Sequence, residues 1–299
     1  MFLLGIDGGG TSSRLELRDL ESGHRFRKEF GSFNLTGIGR TAFVDRLHEI
    51  FQFCGDMGSC SSMCIGGAGV TKTETGELVQ RELKKAGFHG VLKLCGDHEI
   101  ALRGAMQEPG CILIAGTGSI AYGINEKDQK LRIGGYGHLI DDRGSGYALG
   151  RDALALTVQT LDECIPMNPL ADAVMRYLHA KNAGDIVNYV YDPQHGKTAI
   201  STLAPVVLEI AEAGDPYGLK ILQKNSDDLT LMVSVLVRRL GLEAPCVVLA
   251  GGLLDHENMY RSLTKAKISA FAAVVKAEHD SLSGAVMLAE EALRNFQNP

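Results

Sequence analysis

A short apolar strand, a glycine-rich turn carrying a hydroxyl residue and a second strand occur twice in this chain, about 108 residues apart. The first copy runs Phe2-Leu3-Leu4-Gly5-Ile6-Asp7, then Gly8-Gly9-Gly10-Thr11, then a stretch in which Arg14, Leu15, Glu16, Leu17 and Arg18 alternate polar and apolar. That alternation is the period of a half-buried strand, so the turn joins two antiparallel strands and does not open a helix. The second copy is residues 111–115, Gly116-Thr117-Gly118-Ser119 and residues 120–124. The repeat implies two related domains, and 299 residues exceed what one hydrophobic core usually serves.

Elsewhere strands alternate with helices, which predicts an α/β fold. Residues 41–53 read as a helix with Phe43, Leu47, Ile50 and Phe51 on one face. Residues 62–66 form a buried strand ending at Gly66-Gly67-Ala68-Gly69, followed by an amphipathic helix over 77–86. A strand over 91–94 leads through Cys95-Gly96-Asp97 into a helix over 98–106, with His98 and Glu99 expected on its surface. A helix over 147–161 follows Asp141-Asp142-Arg143-Gly144-Ser145-Gly146, and residues 166–240 are mostly helical by period. A buried strand over 245–249 ends at Ala250-Gly251-Gly252. The expected division is 1–115 and 116–282 with a cleft between the two domains, and a terminal helix near 283–297 packing back on the first.

A net charge of −6, from 30 basic and 36 acidic residues, argues against a nucleic-acid partner. No apolar run is long enough to span a membrane, and no secretory leader pattern is present. Seven cysteines without framework spacing fit reduced thiols, so a cytoplasmic protein is expected. The 36 glycines cluster in a few loops, as close backbone approach to a ligand requires.

No GxxxxGK[ST] is present, and the first glycine loop lacks GxGxxG spacing, so the P-loop and dinucleotide fingerprints are both absent. A carboxylate at a strand end before Gly8-Gly9-Gly10-Thr11 suits a triphosphate instead. Backbone N–H groups can reach the phosphates, Thr11 adds a donor, and Asp7 can sit near magnesium. A plain hairpin turn is the alternative for this loop alone. Thr117, Gly118 and Ser119 make a second phosphate-sized turn, and Gly251-Gly252 a flat backbone shelf for a purine ring.

These three elements resemble the phosphate-1, phosphate-2 and adenosine motifs of the actin/Hsp70/sugar-kinase superfamily. Within it the chain is most similar to the BadF/BadG-type ATPase family, in its N-acetylglucosamine kinase branch. The similarity is strongest in residues 3–14, 94–123, 134–150 and 247–253. It implies two ribonuclease-H-like domains, ATP and Mg2+ as cofactors, Asp7 near the metal through water, and an amino-sugar substrate. It further implies that Asp97 is the general base; a helix-capping role is the alternative reading of that residue. Asn34, Asp142, Thr117 and Gly118 match sugar-contacting positions, and Gly67 with Gly69 a sugar-proximal turn. Asp141 stands where relatives often carry glycine, so either aspartate is open for that role. Arg143 either meets an acidic substituent or pairs with Asp141. His138 is expected to be structural. Relatives often carry tryptophan where Tyr136 stands, and this chain has none.

The implied reaction is phosphoryl transfer from ATP to the 6-hydroxyl of N-acetylglucosamine, with N-acetylmuramic acid, glucosamine or glucose as alternative acceptors. An activator ATPase of a 2-hydroxyacyl-CoA dehydratase is a reading of another class, disfavoured by the cysteine placement. A non-catalytic sugar sensor is a third. The family resemblance also implies a homodimer.

Overall fold

Phe2–Gly8 (β1) is buried along its length except at Asp7, as a strand covered on both faces must be. In the computed structural model, which describes every residue but Glu108 and Pro299, it is the central strand of a five-stranded sheet. Ser12–Asp19 (β2) and Arg25–Gly31 (β3) extend the sheet on one side by antiparallel pairing. Cys60–Gly67 (β4) and Val91–Cys95 (β5) extend it on the other by parallel pairing. The order is β3-β2-β1-β4-β5. The parallel crossovers run through helices Arg40–Cys54 and Thr73–Lys85, since parallel neighbours cannot be joined by a tight turn.

The second sheet repeats this plan. Gly110–Ala115 (β6), Ser119–Ile124 (β7) and Lys130–Gly134 (β8) are antiparallel neighbours, while Cys246–Ala250 (β9) and Ala273–Val275 (β10) pair in parallel beyond β6. Its order, β10-β9-β6-β7-β8, matches the first sheet strand for strand. The repeat inferred from two glycine turns is thus a repeat of whole topology, the two ribonuclease-H-like sheets expected. Three strands escaped the sequence reading. β3 (RFRKEFG) and β8 (KLRIG) are charged edge strands without a clean buried period, and β10 is three residues long.

The chain divides into Met1–Glu108 with Ala277–Pro299 and Pro109–Lys276. The boundary expected at 115/116 therefore shifts, because β6 pairs with β7 and β9 in the second sheet. Residues 277–282 join the first unit, where Glu278 and His279 N–H donate to the carbonyls of Ala105 and Gly104. In the second unit the connection from β8 to β9 is enlarged into a helical layer, including Gly146–Leu161 and the long helix Pro216–Leu240. Leu149, Ala153, Leu222, Leu229 and Leu236 of that layer are buried in one apolar cluster with Leu113 and Leu249 of the sheet.

The terminal helix Ser281–Gln297 lies on the first unit beside helix Asp97–Ala105. Ala285, Leu288 and Ala289 pack there with Ile100, Cys64 and Cys95. The two helices cross with their backbones in contact at glycines. A Cβ on Gly104 would lie 2.1 Å from the Asp280 carbonyl oxygen, and one on Gly284 would lie 2.0 Å from that of Ile100. Burial pushes the Cys60 and Cys111 thiols up to about 12, which leaves them unreactive.

Because backbone cannot yield as a flexible side chain can, Gly284→Ala is expected to cost about 1–3 kcal/mol of stability or more in urea unfolding. Gly196→Ala, at a position with nothing within 4 Å of the added Cβ, should change stability by no more than about 1 kcal/mol.

Candidate active site

Parallel pairing sets the first group of site residues. Asp7 is in register with Gly66, Gly8 with Gly67, and Gly66 with Cys95. The carboxyl ends of β1, β4 and β5 therefore finish in one row, the place where open α/β sheets bind ligands. A Cβ on Gly67 would lie 2.7 Å from the Gly8 carbonyl oxygen, and one on Gly8 would lie 2.9 Å from Cδ1 of Phe33. The Phe33 N–H donates to the Gly9 carbonyl at 3.0 Å, which ties the segment before Asn34 to the glycine loop. Gly10 has nothing within 4 Å of an added Cβ, and Thr11 is exposed, so this part of the loop is open.

Asp7 is 17% exposed at its side chain. Its Oδ2 accepts from Arg14 Nη2 at 2.6 Å and from Ser281 Oγ at 2.7 Å. Neither partner was foreseen, and Ser281 lies 274 residues away. Asn34 caps the short helix Leu35–Ile38, its Oδ1 accepting from the Thr36 N–H at 3.2 Å. Its amide nitrogen makes no hydrogen bond among the described residues, so that end of the side chain is available to a ligand.

Asp97 is the first residue of its helix, not the cap. Gly96 holds the cap position, and the Glu99 carboxylate turns back to accept from the Gly96 N–H at 3.1 Å. Glu99 thus serves the Gly96 N–H, while Asp97 serves the first-turn N–H of His98. His98 and Glu99, expected on the surface, are both half-buried and engaged with this turn. Asp97 Oδ1 accepts from the His98 N–H at 3.0 Å and meets His98 Nδ1 at 3.3 Å, while 58% of its side chain is accessible. Partial desolvation pushes the Asp97 carboxyl up, but the hydrogen bonds and charge of His98 outweigh it and hold the pKa below the ordinary carboxylate value.

The second unit gathers its own group. In the β6–β7 turn the Gly116 N–H donates to the Gly118 carbonyl at 2.9 Å, and the Gly146 N–H to the Gly116 carbonyl at 2.7 Å. Thr117 accepts at its carbonyl from the Tyr147 N–H at 3.3 Å. Ser119 donates from its N–H to Asp142 Oδ1 at 3.3 Å and from its hydroxyl to the Arg143 carbonyl at 2.6 Å. Gly251 has φ +93°, and a Cβ there would lie 2.5 Å from the Ala115 carbonyl oxygen. Gly252 meets nothing within 4 Å, yet its N–H nitrogen lies 3.8 Å from where a Cβ on Gly116 would stand. The second phosphate-sized turn and the glycine shelf are thus neighbours in space.

The structure separates the two adjacent aspartates. Asp141 is taken up by Arg143 Nε at 3.1 Å and by the Tyr136 N–H at 3.3 Å. Of the two readings of Arg143, the pairing with Asp141 is the one present. Asp142 is 3% exposed, holds a left-handed backbone (φ +56°) uncommon outside glycine, and keeps a buried Oδ2 with no hydrogen-bond partner among the described residues. Lys197 Nζ stands 3.9 Å from that oxygen; nothing in the sequence linked it to Asp142. His138 packs edge-on against Tyr147 at 4.9 Å, a structural arrangement.

The sequence matches the BadF/BadG/BcrA/BcrD ATPase family over residues 4–289. An N-acetylmuramic acid/N-acetylglucosamine kinase from Clostridium acetobutylicum is 31% identical, over 96% of this chain and 98% of its own. A glucosamine kinase from Vibrio cholerae is 26% identical, over 99% of this chain and 98% of its own. Among solved structures, a candidate N-acetylglucosamine kinase from Chromobacterium violaceum has a TM-score of 0.78 at 24% identity, covering 96% of this chain and 98% of that one, which is a likeness of fold. With its glycine turns at the strand ends and a match along nearly its whole length, the chain belongs to the BadF/BadG/BcrA/BcrD ATPase family.

Proposed function

We propose that this protein is an ATP-dependent amino-sugar kinase that transfers the γ-phosphate to the 6-hydroxyl of N-acetylglucosamine or a close analogue. The observation that carries the reading is the accessible carboxylate of Asp97, two residues beyond β5, with 58% of its side chain exposed. Similarity to kinases of N-acetylglucosamine, N-acetylmuramic acid and glucosamine supports the same substrate class.

Asp97 accepts the proton of the attacking hydroxyl as the new O–P bond forms, and ADP leaves with the electrons of the broken bond. Gly8, Gly9, Gly10 and Thr11 present backbone and hydroxyl donors to phosphate oxygens, and Thr117, Gly118 and Ser119 have the same role at their own turn. Gly251 and Gly252 carry the nucleoside. Asn34, Gly67, Thr117, Gly118 and Asp142 receive the sugar. Mg2+ is an ion usually held by one or two carboxylates and the substrate's phosphates. Asp7 is the carboxylate that fits, through water, since its Oδ2 already accepts two hydrogen bonds. Bound magnesium would neutralise charge on the phosphates.

Coupled ADP release against N-acetylglucosamine, N-acetylmuramic acid, glucosamine and glucose tests the reading; sugar-dependent release with none of the four would overturn it. Asp97→Asn should lower kcat on the order of 10²–10⁴-fold with sugar binding retained. Because the Asp97 pKa is depressed, its carboxylate stays ionised as pH falls, and no acid limb from it is expected in kcat/KM between about pH 5 and 8. Asp7→Ala should weaken activation by Mg2+ roughly 10–100-fold, read from the magnesium dependence of the rate.

A further inference from the structure

Asp142 Oδ2 is a buried acceptor without a donor among the described residues, on a side chain held in place from its other oxygen by the Ser119 N–H. An unpaired carboxylate oxygen at this depth is costly unless a ligand completes it. Among the described residues the cation facing it is Lys197, and 3.9 Å is beyond hydrogen-bond reach. Acceptor and donor therefore stand apart at a distance that one hydroxyl can bridge, donating its hydrogen to Asp142 Oδ2 and accepting from Lys197 Nζ.

Close packing fixes where Lys197 sits. It begins the helix Lys197–Ser201, which lies against Gly146 and Gly150 of helix Gly146–Leu161. A Cβ on Gly150 would fall 2.1 Å from the Ile200 carbonyl oxygen, and one on Gly146 would fall 3.3 Å from Ser201 Cβ. The same Gly146 donates its N–H to Gly116, so the lysine, the β6–β7 turn and Asp142 are all referred to one helix start.

We infer that Lys197 is a sugar-binding residue acting with Asp142, the two clamping a single neutral hydroxyl of the substrate as donor and acceptor. The inference rests on the kinase reading and adds to it a residue that sets specificity. It also bears on charge. Lys197 faces Asp142 and Arg143 faces Asp141, so both of these cations already have an acidic neighbour. The pair is matched to a hydroxyl, and a sugar carboxylate at this point would be repelled by Asp142.

The test uses Lys197→Met and Lys197→Arg in the full chain, with KM for sugar, KM for ATP and kcat measured separately, and sugar binding followed by calorimetry. Lys197→Met should raise the sugar KM about tenfold or more while the ATP KM and the melting temperature stay near wild type. Lys197→Arg should recover part of the loss. In a series of monodeoxy sugars, the analogue lacking the clamped hydroxyl should bind wild type and Lys197→Met equally, since the two deletions remove one shared interaction. A sugar KM within twofold of wild type, or sugar and ATP KM values rising together, would overturn the inference alone. Absence of both turnover and sugar binding in the wild type overturns the kinase reading and this inference with it.

Discussion

Parallel pairing of the first and fourth strands of each sheet is the constraint on which the candidate site depends. In the first unit, β1 against β4 and β4 against β5 bring Asp7, Gly66 and Cys95 into one row, with Asp97 two residues beyond it. In the second, β6 against β9 brings Ile114 level with Ala250, so Gly116 and Gly251 leave the sheet side by side. Because side chains alternate faces along a strand, a slip of one residue would send Asp7 to the other face. The buried apolar residues of β1 and β4, Leu4, Ile6, Met63 and Ile65 among them, hold that register.

Glycine makes the row usable. Gly8 and Gly67 pass within a distance that no side chain tolerates, and Gly251 combines a positive φ with close approach to Ala115. Both arrangements bring backbone, in place of side chains, to the strand ends, and the Gly251 N–H there donates to Asp255 Oδ1 at 2.9 Å. Asp142 reaches the opposite compromise. It accepts a left-handed backbone that glycine would adopt more readily, and in return places a carboxylate where a Cβ on Gly118 would stand only 3.0 Å from it. Strain held at a buried, incompletely paired acid is a mark of a binding position.

Much of the architecture was legible. The buried strands β1, β4, β6 and β9 are predominantly apolar, and the glycine turns follow them directly. Edge strands β3 and β8 were not legible, because their exposed faces bear charges that an irregular loop carries equally well. The boundary at 115 failed for a related reason: a glycine turn marks the end of a strand and says nothing about which sheet that strand joins. Among site residues, Asp7, Asp97 and Asp142 stand next to recognisable turns. Arg14, Ser281 and Lys197 do not, and Asp141 differs from Asp142 in backbone conformation, burial and partners, which only the folded chain sets.

By itself the sequence determined the repeated strand–turn–strand units, the α/β class and the carboxylates at strand ends, since those follow from local periodicity and glycine placement. The tertiary structure alone decided which acid is spent and which is spare. Arg143 and the Tyr136 N–H satisfy Asp141, His98 bonds one oxygen of Asp97, Arg14 and Ser281 hold Asp7, and Lys197 stops short of Asp142. Hydrogen bonding acts over about 3 Å, and several of these partners are brought within that range only when distant parts of the chain pack together.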